Sequence, residues 1–451
     1  MIYRLKAHRL DIAVGGFLAL FWSWLIFVNV AVITPSRFVG RLIAIFGFLC
    51  ICGISFVVFK ICVKRLWVVK KVNGWVLVGF VLLWAFLEYF VSWLVAVIWI
   101  GSDGSLDSVL PFGSFTPFLS YTPLGFLGRL IGYHGLSAVF VLCILVVVHK
   151  KFQPYRLRVF GLVACLTVLS WGLYARANGP NFTATIVADQ LGEWPEITVQ
   201  ESQLVVLPEY GLDRYKSETV NQRFATDKPV SFVGSQQRKI AEGEISNTFI
   251  YGNTTNGFLS EQDKARLIPA GEYLPYFLEW TLPHWSGGKE ILDIFERRRA
   301  VAKGNDVLVP VVMSDDIVIG GAVCSSIIST KDYQQLTKKG ATVLANSASL
   351  EIFRGSRMFS VQHKGLAKFM ATANARPLLQ SSNNGIAFAI DHSGRVIEQM
   401  QPVAASEVLV ATNSVRTPYT MLGEWMAVLG GGLTFVLGLR WVHRMRLRRK
   451  K

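Results

Sequence analysis

Ile317-Val-Ile-Gly-Gly-Ala-Val-Cys324 is a short apolar run that ends on a cysteine and continues into Ser325-Ser326. Branching at Cβ restricts Val and Ile to few rotamers and suits them to a pleated, half-buried surface, so 317–323 reads as a strand. Similar runs lie on both sides, at 183–187, 204–207, 230–233, 248–251, 307–312, 342–345, 385–390, 396–399 and 408–411. Polar, helix-compatible segments alternate with them near 330–339 and 357–374. The pattern predicts an α/β or layered α+β domain with helices on both sheet faces. Asp391-His-Ser-Gly394 between two runs is a hairpin signal.

The rest of the chain has another character. Of the 451 residues 52% are hydrophobic, and the mean hydropathy is +0.40, too apolar for an ordinary soluble enzyme. Apolar runs at 12–33, 42–59, 75–100, 131–148, 159–175 and 419–439 account for the excess and read as membrane spans. The first lacks a small-residue cleavage site and is followed by further spans, so it is expected to be a retained anchor. Basic clusters fall at alternate span ends: Arg4, Lys6 and Arg9; Lys60 to Lys71; Lys150 to Arg158; Arg440 to Lys451. The loop 101–122 between the opposite ends carries Asp103 and Asp107 and no Lys or Arg. The positive-inside rule then places the clusters in the cytoplasm. They exceed the net charge of +16, so the remainder is slightly acidic and no nucleic-acid partner is implied. The expected organisation is a membrane domain of about five transmembrane helices over 1–175, an extracytoplasmic catalytic domain over 176–417, and a last transmembrane helix with a basic cytoplasmic tail over 418–451.

Cys324 is the one cysteine of the exported block; Cys50, Cys52, Cys62, Cys143 and Cys165 belong to the membrane part. An unpaired thiol in an oxidising compartment is either inert or used. Two other stretches favour use. Val206-Leu-Pro-Glu-Tyr210 puts a carboxylate, Glu209, after a strand, and Asp263-Lys-Ala-Arg-Leu-Ile-Pro-Ala-Gly-Glu-Tyr273 supplies Lys264 and Glu272. A base, a cation and a thiol are the parts needed to form and break an acyl thioester. No metal-ligand spacing, P-loop or dinucleotide motif occurs, and no cofactor is expected.

On these residues the exported block resembles the carbon–nitrogen hydrolase (nitrilase) superfamily, and with its spans the chain is similar to the apolipoprotein N-acyltransferase family. The motifs are Leu207-Pro208-Glu209, Lys264 with Pro269-Ala-Gly-Glu272, and Gly320-Gly-Ala-Val-Cys324. To these are added Gln362-His363, Ala375-Arg-Pro-Leu-Leu-Gln-Ser-Ser-Asn-Asn-Gly-Ile386 and Ala389-Ile-Asp-His-Ser-Gly-Arg-Val396. In the spans, Leu87-Glu88-Tyr89 and Tyr133-His134-Gly135-Leu136-Ser137 match in part. The resemblance implies a four-layer α-β-β-α sandwich with Glu209, Lys264 and Cys324 as catalytic residues. It gives Glu272, Ser325 (through its backbone N–H) and Asn346 supporting roles. It also implies a membrane phospholipid as acyl donor, the N-terminal amine of a lipoprotein or another amine as acceptor, and a membrane-integral monomer. The family follows its cysteine with Tyr and Glu where this chain has Ser325 and Ser326, and its Asn-Asp-x-Trp-Phe segment stands here as Asn346-Ser-Ala-Ser-Leu350. A membrane-tethered amidase on the same trio, or a non-catalytic relative, remains an alternative.

Four further features stay open between two readings. Glu88 is either a vestibule residue or an inter-helix hydrogen bond. Arg376 either braces a loop through carbonyls or binds substrate, and His363 is either a satisfied core residue or part of the site. The aromatic stretch 273–285 is either a membrane-touching lid or core packing.

Overall fold

The structure is a computed structural model that describes residues 73–449 except 99, 102–113, 191–194, 196, 198, 215–228, 242–243, 270, 299, 302, 306 and 352–356. The expected spans at 12–33 and 42–59, and the basic clusters before residue 73, lie outside the described residues. Among those described, Gly74–Leu94, Pro123–Val148 and Gln153–Leu173 are long and apolar enough to cross a membrane. The chain is therefore a multi-pass membrane protein. The run at 419–439 differs from the expected single helix. Thr417 caps a short helix, Pro418–Leu422, and Gly423 then turns the backbone through a positive φ of 59° into Trp425–Arg449. Glycine takes that conformation without the Cβ clash other residues meet.

The helices pack through small residues and buried polar contacts. Gly430 lies so close to the Leu82 carbonyl that a Cβ there would approach its oxygen to 1.9 Å, which is how small residues admit neighbouring spans. Glu88 faces protein, accepting hydrogen bonds from Trp84 Nε1 at 2.7 Å and Ser137 Oγ at 2.6 Å. Gly132 breaks the helix Gly128–Val148 with φ 75°. The freed N–H groups of Tyr133 and His134 donate to Glu424, at 3.0 and 3.1 Å.

The residues between the third apolar helix and the last helices form a mixed sheet folded into a sandwich. Its strand order runs Gly257–Asp263, Glu244–Asn253, Ser231–Ala241, Leu204–Val206, Asn181–Asp189, Leu378–Asn383, Val343–Ser349, Val318–Val323 and Val311–Val312. The hairpin Ala387–Ile390 with Val396–Met400 extends from Leu378–Asn383, with Asp391 to Gly394 at its turn, and Ala404–Ala411 runs antiparallel along Asn181–Asp189. Alternate residues serve different layers. Val343 and Ala345 join Phe249, Ile319 and Leu379 between the sheet layers, whereas Leu344 joins Leu336, Phe369 and Met370 under the helices Thr330–Lys338 and Arg357–Asn374. Each fully buried side chain of this size contributes roughly 1.5–3 kcal/mol.

Two strand expectations change. Of 307–312 only Val311–Val312 pairs, because Pro310 lacks a donor and the Val309 N–H turns to Gln262 Oε1. Leu378–Asn383 is a central strand that polar Gln380 to Asn383 concealed. Its Ser381 hydroxyl donates to the Val206 carbonyl and accepts the Val187 N–H.

The sandwich sits directly on the membrane helices. Phe369 meets the rings of Tyr133 and Tyr419 edge-on, with centroids 5.2 and 5.5 Å apart. Buried Arg129 donates to the carbonyls of Thr372, Ser170 and His392, joining two spans to the sandwich.

Candidate active site

Parallel strands deliver the reactive side chains. Leu204–Val206, Val343–Ser349 and Val318–Val323 run the same way through the parallel ladder, and the chain leaves their carboxyl ends at Glu209, Ser349 and Cys324. Ligand crevices of parallel sheets lie at such ends. Two turns there are strained: Tyr210 has φ 63° and Cys324 φ 43°. A non-glycine residue in the left-handed region costs of order 1–3 kcal/mol and persists where surrounding structure fixes it. At Cys324 that conformation joins a strand to the 3-10 turn Cys324–Ile328.

Of the expected trio, Lys264 and Glu209 are in direct contact and Cys324 lies beside Glu209. Lys264 Nζ lies 3.2 Å from Glu209 Oε1 and 2.7 Å from Glu272 Oε1. Cys324 Sγ donates to the Ser349 carbonyl at 3.4 Å, and the Glu209 N–H donates to the neighbouring Ala348 carbonyl at 3.2 Å. The end of one strand thus anchors both the thiol and the backbone of Glu209. Glu209, Lys264 and Cys324 are at most 5% exposed. Glu272 is held by the Ile268 N–H on its second oxygen at 2.8 Å. Asn247 reaches Glu272 at 3.0 Å and Glu209 at 3.4 Å.

Burial sets the proton balance. It raises the Glu209 carboxyl above its ordinary value, against the pull of Lys264, and Glu272 raises it further. It pushes the Cys324 thiol up too, and the Glu209 charge adds to this. For Lys264 burial acts downward, but the two carboxylates outweigh it and hold the ammonium well above its ordinary value. At rest the lysine is charged and the cysteine is a thiol. The Lys264 charge favours the thiolate, but burial and the Glu209 charge outweigh it. A nucleophilic thiol here would need a proton acceptor, and Glu209 is the carboxylate beside it.

Of the supporting residues, Glu272 and Ser325 stand at the site, and the Ser325 hydroxyl donates to the Arg266 carbonyl. Asn346 does not join them. Its amide donates to Gln380 Oε1 at 3.0 Å, which also takes His363 Nε2 at 2.7 Å, on the face turned to helix Arg357–Asn374. Burial pushes His363 down to about 4, so it is neutral and a core residue.

The carbon–nitrogen hydrolase family model matches residues 188–417, just over half of the chain. The chain belongs to the carbon–nitrogen hydrolase family. An apolipoprotein N-acyltransferase of Vibrio vulnificus is 23% identical over 282 residues, 60% of this chain and 51% of the relative. One from Photobacterium profundum is 22% identical over 392 residues, 78% of this chain and 68% of the relative. The chain spans about half the length of the first of these. Among solved structures, a carbon–nitrogen hydrolase from Helicobacter pylori G27 aligns with a TM-score of 0.37 at 13% identity, over 51% of this chain and 89% of that one.

In this member of the family, sequence reasoning missed Asn247, the Ser349 carbonyl, and the ion pair of Arg266 with Asp332. Asn247 sits in an unremarkable strand, and a backbone carbonyl leaves no mark in a sequence. Arg266 lay inside the quoted Lys264 to Glu272 stretch, with a partner 66 residues away. The aromatic stretch 273–285 divides between its two readings. Leu274, Leu278 and Leu282 pack inward, while Trp280 is 74% exposed on helix Tyr276–Thr281, and the Tyr276 N–H bonds the Ile100 carbonyl just beyond the helix Gly74–Ile98.

Proposed function

We propose that the protein is a membrane acyltransferase that carries a fatty acyl group from a phospholipid, through a Cys324 thioester, to the N-terminal amine of a lipoprotein. The observation that carries this reading is the buried Glu209–Lys264 ion pair beside the Cys324 thiol, inside a sandwich seated on membrane helices. Similarity to apolipoprotein N-acyltransferases, extending beyond the hydrolase domain, supports the choice of substrates.

The steps follow from the side chains. Glu209 takes the Cys324 proton as the sulfur attacks the ester carbonyl carbon. Lys264 and the Ser325 N–H stabilise the oxyanion, a type of contact worth about 10²–10³ in rate per donor. The C–O bond breaks, Glu209 returns the proton to the leaving alkoxide, and a lysophospholipid departs. The amine then attacks the thioester, Glu209 accepts its proton, and the thiol is regenerated as the amide forms. No cofactor enters, because the ester supplies the acyl group. Exclusion of water from the thioester directs it to the amine rather than to hydrolysis. In this reading the domain 176–417 lies on the non-cytoplasmic face, with the basic tail in the cytoplasm.

Intact-protein mass spectrometry after incubation with phospholipid, with and without an N-terminal diacylglyceryl lipopeptide, tests this. The expected result is an acyl mass increment on the wild type, absent from Cys324→Ala and discharged by the lipopeptide. No increment on the wild type overturns it. Free fatty acid without lipopeptide acylation assigns the same trio to a hydrolase.

A further inference from the structure

The contacts around Ser325 form a closed chain that the reaction itself does not require. The Ser325 hydroxyl donates to the carbonyl of Arg266, two residues beyond Lys264. The Arg266 guanidinium grips Asp332 with three hydrogen bonds, Nε to both carboxylate oxygens at 3.2 and 3.1 Å and Nη2 to Oδ1 at 2.8 Å. Asp332 lies in the first turn of Thr330–Lys338, whose capping Ser329 follows the 3-10 turn beginning at Cys324. The path thus returns to the nucleophile. Ser325, Arg266 and Asp332 are all buried.

A buried ion pair contributes little net stability, because desolvation offsets its attraction, but its forked geometry is directional. Here it joins the segment bearing Lys264 to the helix that follows Cys324. The hydroxyl adds a second tie, made by the residue that directly follows Cys324. The two groups that must meet the oxyanion come from segments about 60 residues apart, and this chain of contacts fixes them relative to each other.

We propose that Ser325, Arg266 and Asp332 are positioning residues that hold the oxyanion-binding pair, the Ser325 N–H and the Lys264 ammonium, in register with the Cys324 sulfur. This rests on the reading of Cys324 as an acyl-accepting nucleophile. It gives the Ser325 side chain a function of its own.

Two reagents that share the thiol but not the oxyanion separate positioning from general damage. p-Nitrophenyl acetate acylates the sulfur through a tetrahedral oxyanion: the S–C bond forms, the C–O bond breaks, and p-nitrophenolate leaves with the electron pair. Iodoacetamide alkylates it by direct displacement of iodide, with no oxyanion. In the full-length protein, Ser325→Ala and Asp332→Asn are expected to slow the p-nitrophenolate burst about tenfold, as displacement of an oxyanion donor does. Alkylation should stay within twofold of wild type, and Ser325→Thr should restore the burst. Parallel loss of both reactions, or no change in the burst, overturns the proposal. Ser325→Ala removes a single oxygen and carries the test alone if Asp332→Asn does not fold. A wild type that gives the burst but takes no acyl group from phospholipid refutes the lipid reading and leaves the positioning role standing. A wild type inert to p-nitrophenyl acetate refutes both.

Discussion

The ammonium of Lys264 lies closer to Glu272, at 2.7 Å, than to Glu209, at 3.2 Å. This asymmetry separates the roles of the two carboxylates. Glu272 is saturated, with the Ile268 N–H on one oxygen and Lys264 and Asn247 on the other. Among the described residues Glu209 has a 3.2 Å contact with Lys264 and a long one with Asn247, and its carboxyl faces the thiol. The loosely held carboxylate is the one able to accept a proton.

Glu209→Gln removes that acceptor and keeps the shape. Formation of the acyl adduct, followed by single-turnover mass spectrometry, should fall by about 10²–10⁴-fold, the range of a positioned general base. An adduct formed at the wild-type rate would transfer the base to another group.

The same residue sets the pH dependence. Its carboxyl is raised above the ordinary 4.5, so the acylation rate should climb through a pKa above that value and level off once Glu209 is ionised. With the thiol pushed above its ordinary 9.0, no second rise from a free thiolate should appear below pH 9. Stability should move in the opposite sense. A raised pKa means that the folded state binds its proton more tightly, so this contribution is complete below pH 4.5 and is lost as pH rises through the folded value. The thermal midpoint of the wild type should therefore fall relative to Glu209→Gln across that window, and a parallel course of the two midpoints would refute the assignment.

Glu272→Gln should slow acylation by about tenfold, less than loss of Lys264, because the amide still reaches the ammonium without neutralising it. Lys264→Met leaves two buried carboxylates unbalanced and should cost about 3–5 kcal/mol of stability. The double variant should lose much less than the sum, since the residues share one contact. Additive thermal shifts would show that the ion pair does not couple them.

How far the sequence disclosed this arrangement depends on where each residue gets its partner. Glu209 and Cys324 were legible because each follows a β-branched run, and Lys264 because the chemistry demands a cation beside them. Glu272 was legible from its neighbours in the Lys264 segment. Asn346 was misplaced because period-two alternation turns it away from Val343 and Ala345, toward the helix that carries His363. Asp332 was invisible, being one acid of a polar helix until folding brings Arg266 to it. The polar strand Leu378–Asn383 escaped a hydrophobicity pattern because its hydroxyls and amides are satisfied by neighbouring strands rather than by water.

Arg376 sets a stability test away from the chemistry. It is almost fully buried, and its guanidinium donates to the carbonyls of Ala341, Asn374, Ala375 and Val415. It therefore braces the loop between helix Arg357–Asn374 and strand Leu378–Asn383, and it ties in the approach to the last helices. Arg376→Met should lower stability by about 3–5 kcal/mol by orphaning these acceptors. The acylation rate per folded molecule should change little, and a selective loss of rate at unchanged stability would instead make it a substrate contact.

The glycine pair that precedes Cys324 offers the sharpest packing test. A Cβ on Gly320 would lie 2.9 Å from the side chains of Leu336 and Ala341, and one on Gly321 would lie 2.1 Å from the Phe249 ring. The strand Val318–Val323 is thus pressed by helix residues on one face and by the opposite sheet layer on the other. Gly321 also donates its N–H to Tyr251 Oη at 3.0 Å, and Phe249 and Tyr251 pack edge-on with centroids 5.0 Å apart. Gly321→Ala must push Phe249 away and move the strand that carries Cys324. A loss of about 1–3 kcal/mol is expected from overpacking, with acylation falling further than iodoacetamide alkylation because the sulfur shifts against Lys264. Phe249→Leu shortens the opposing ring and should recover part of both losses in the double variant. If the second substitution only adds its own cost, the close approach of the two layers at Gly321 is not what holds the nucleophile in place.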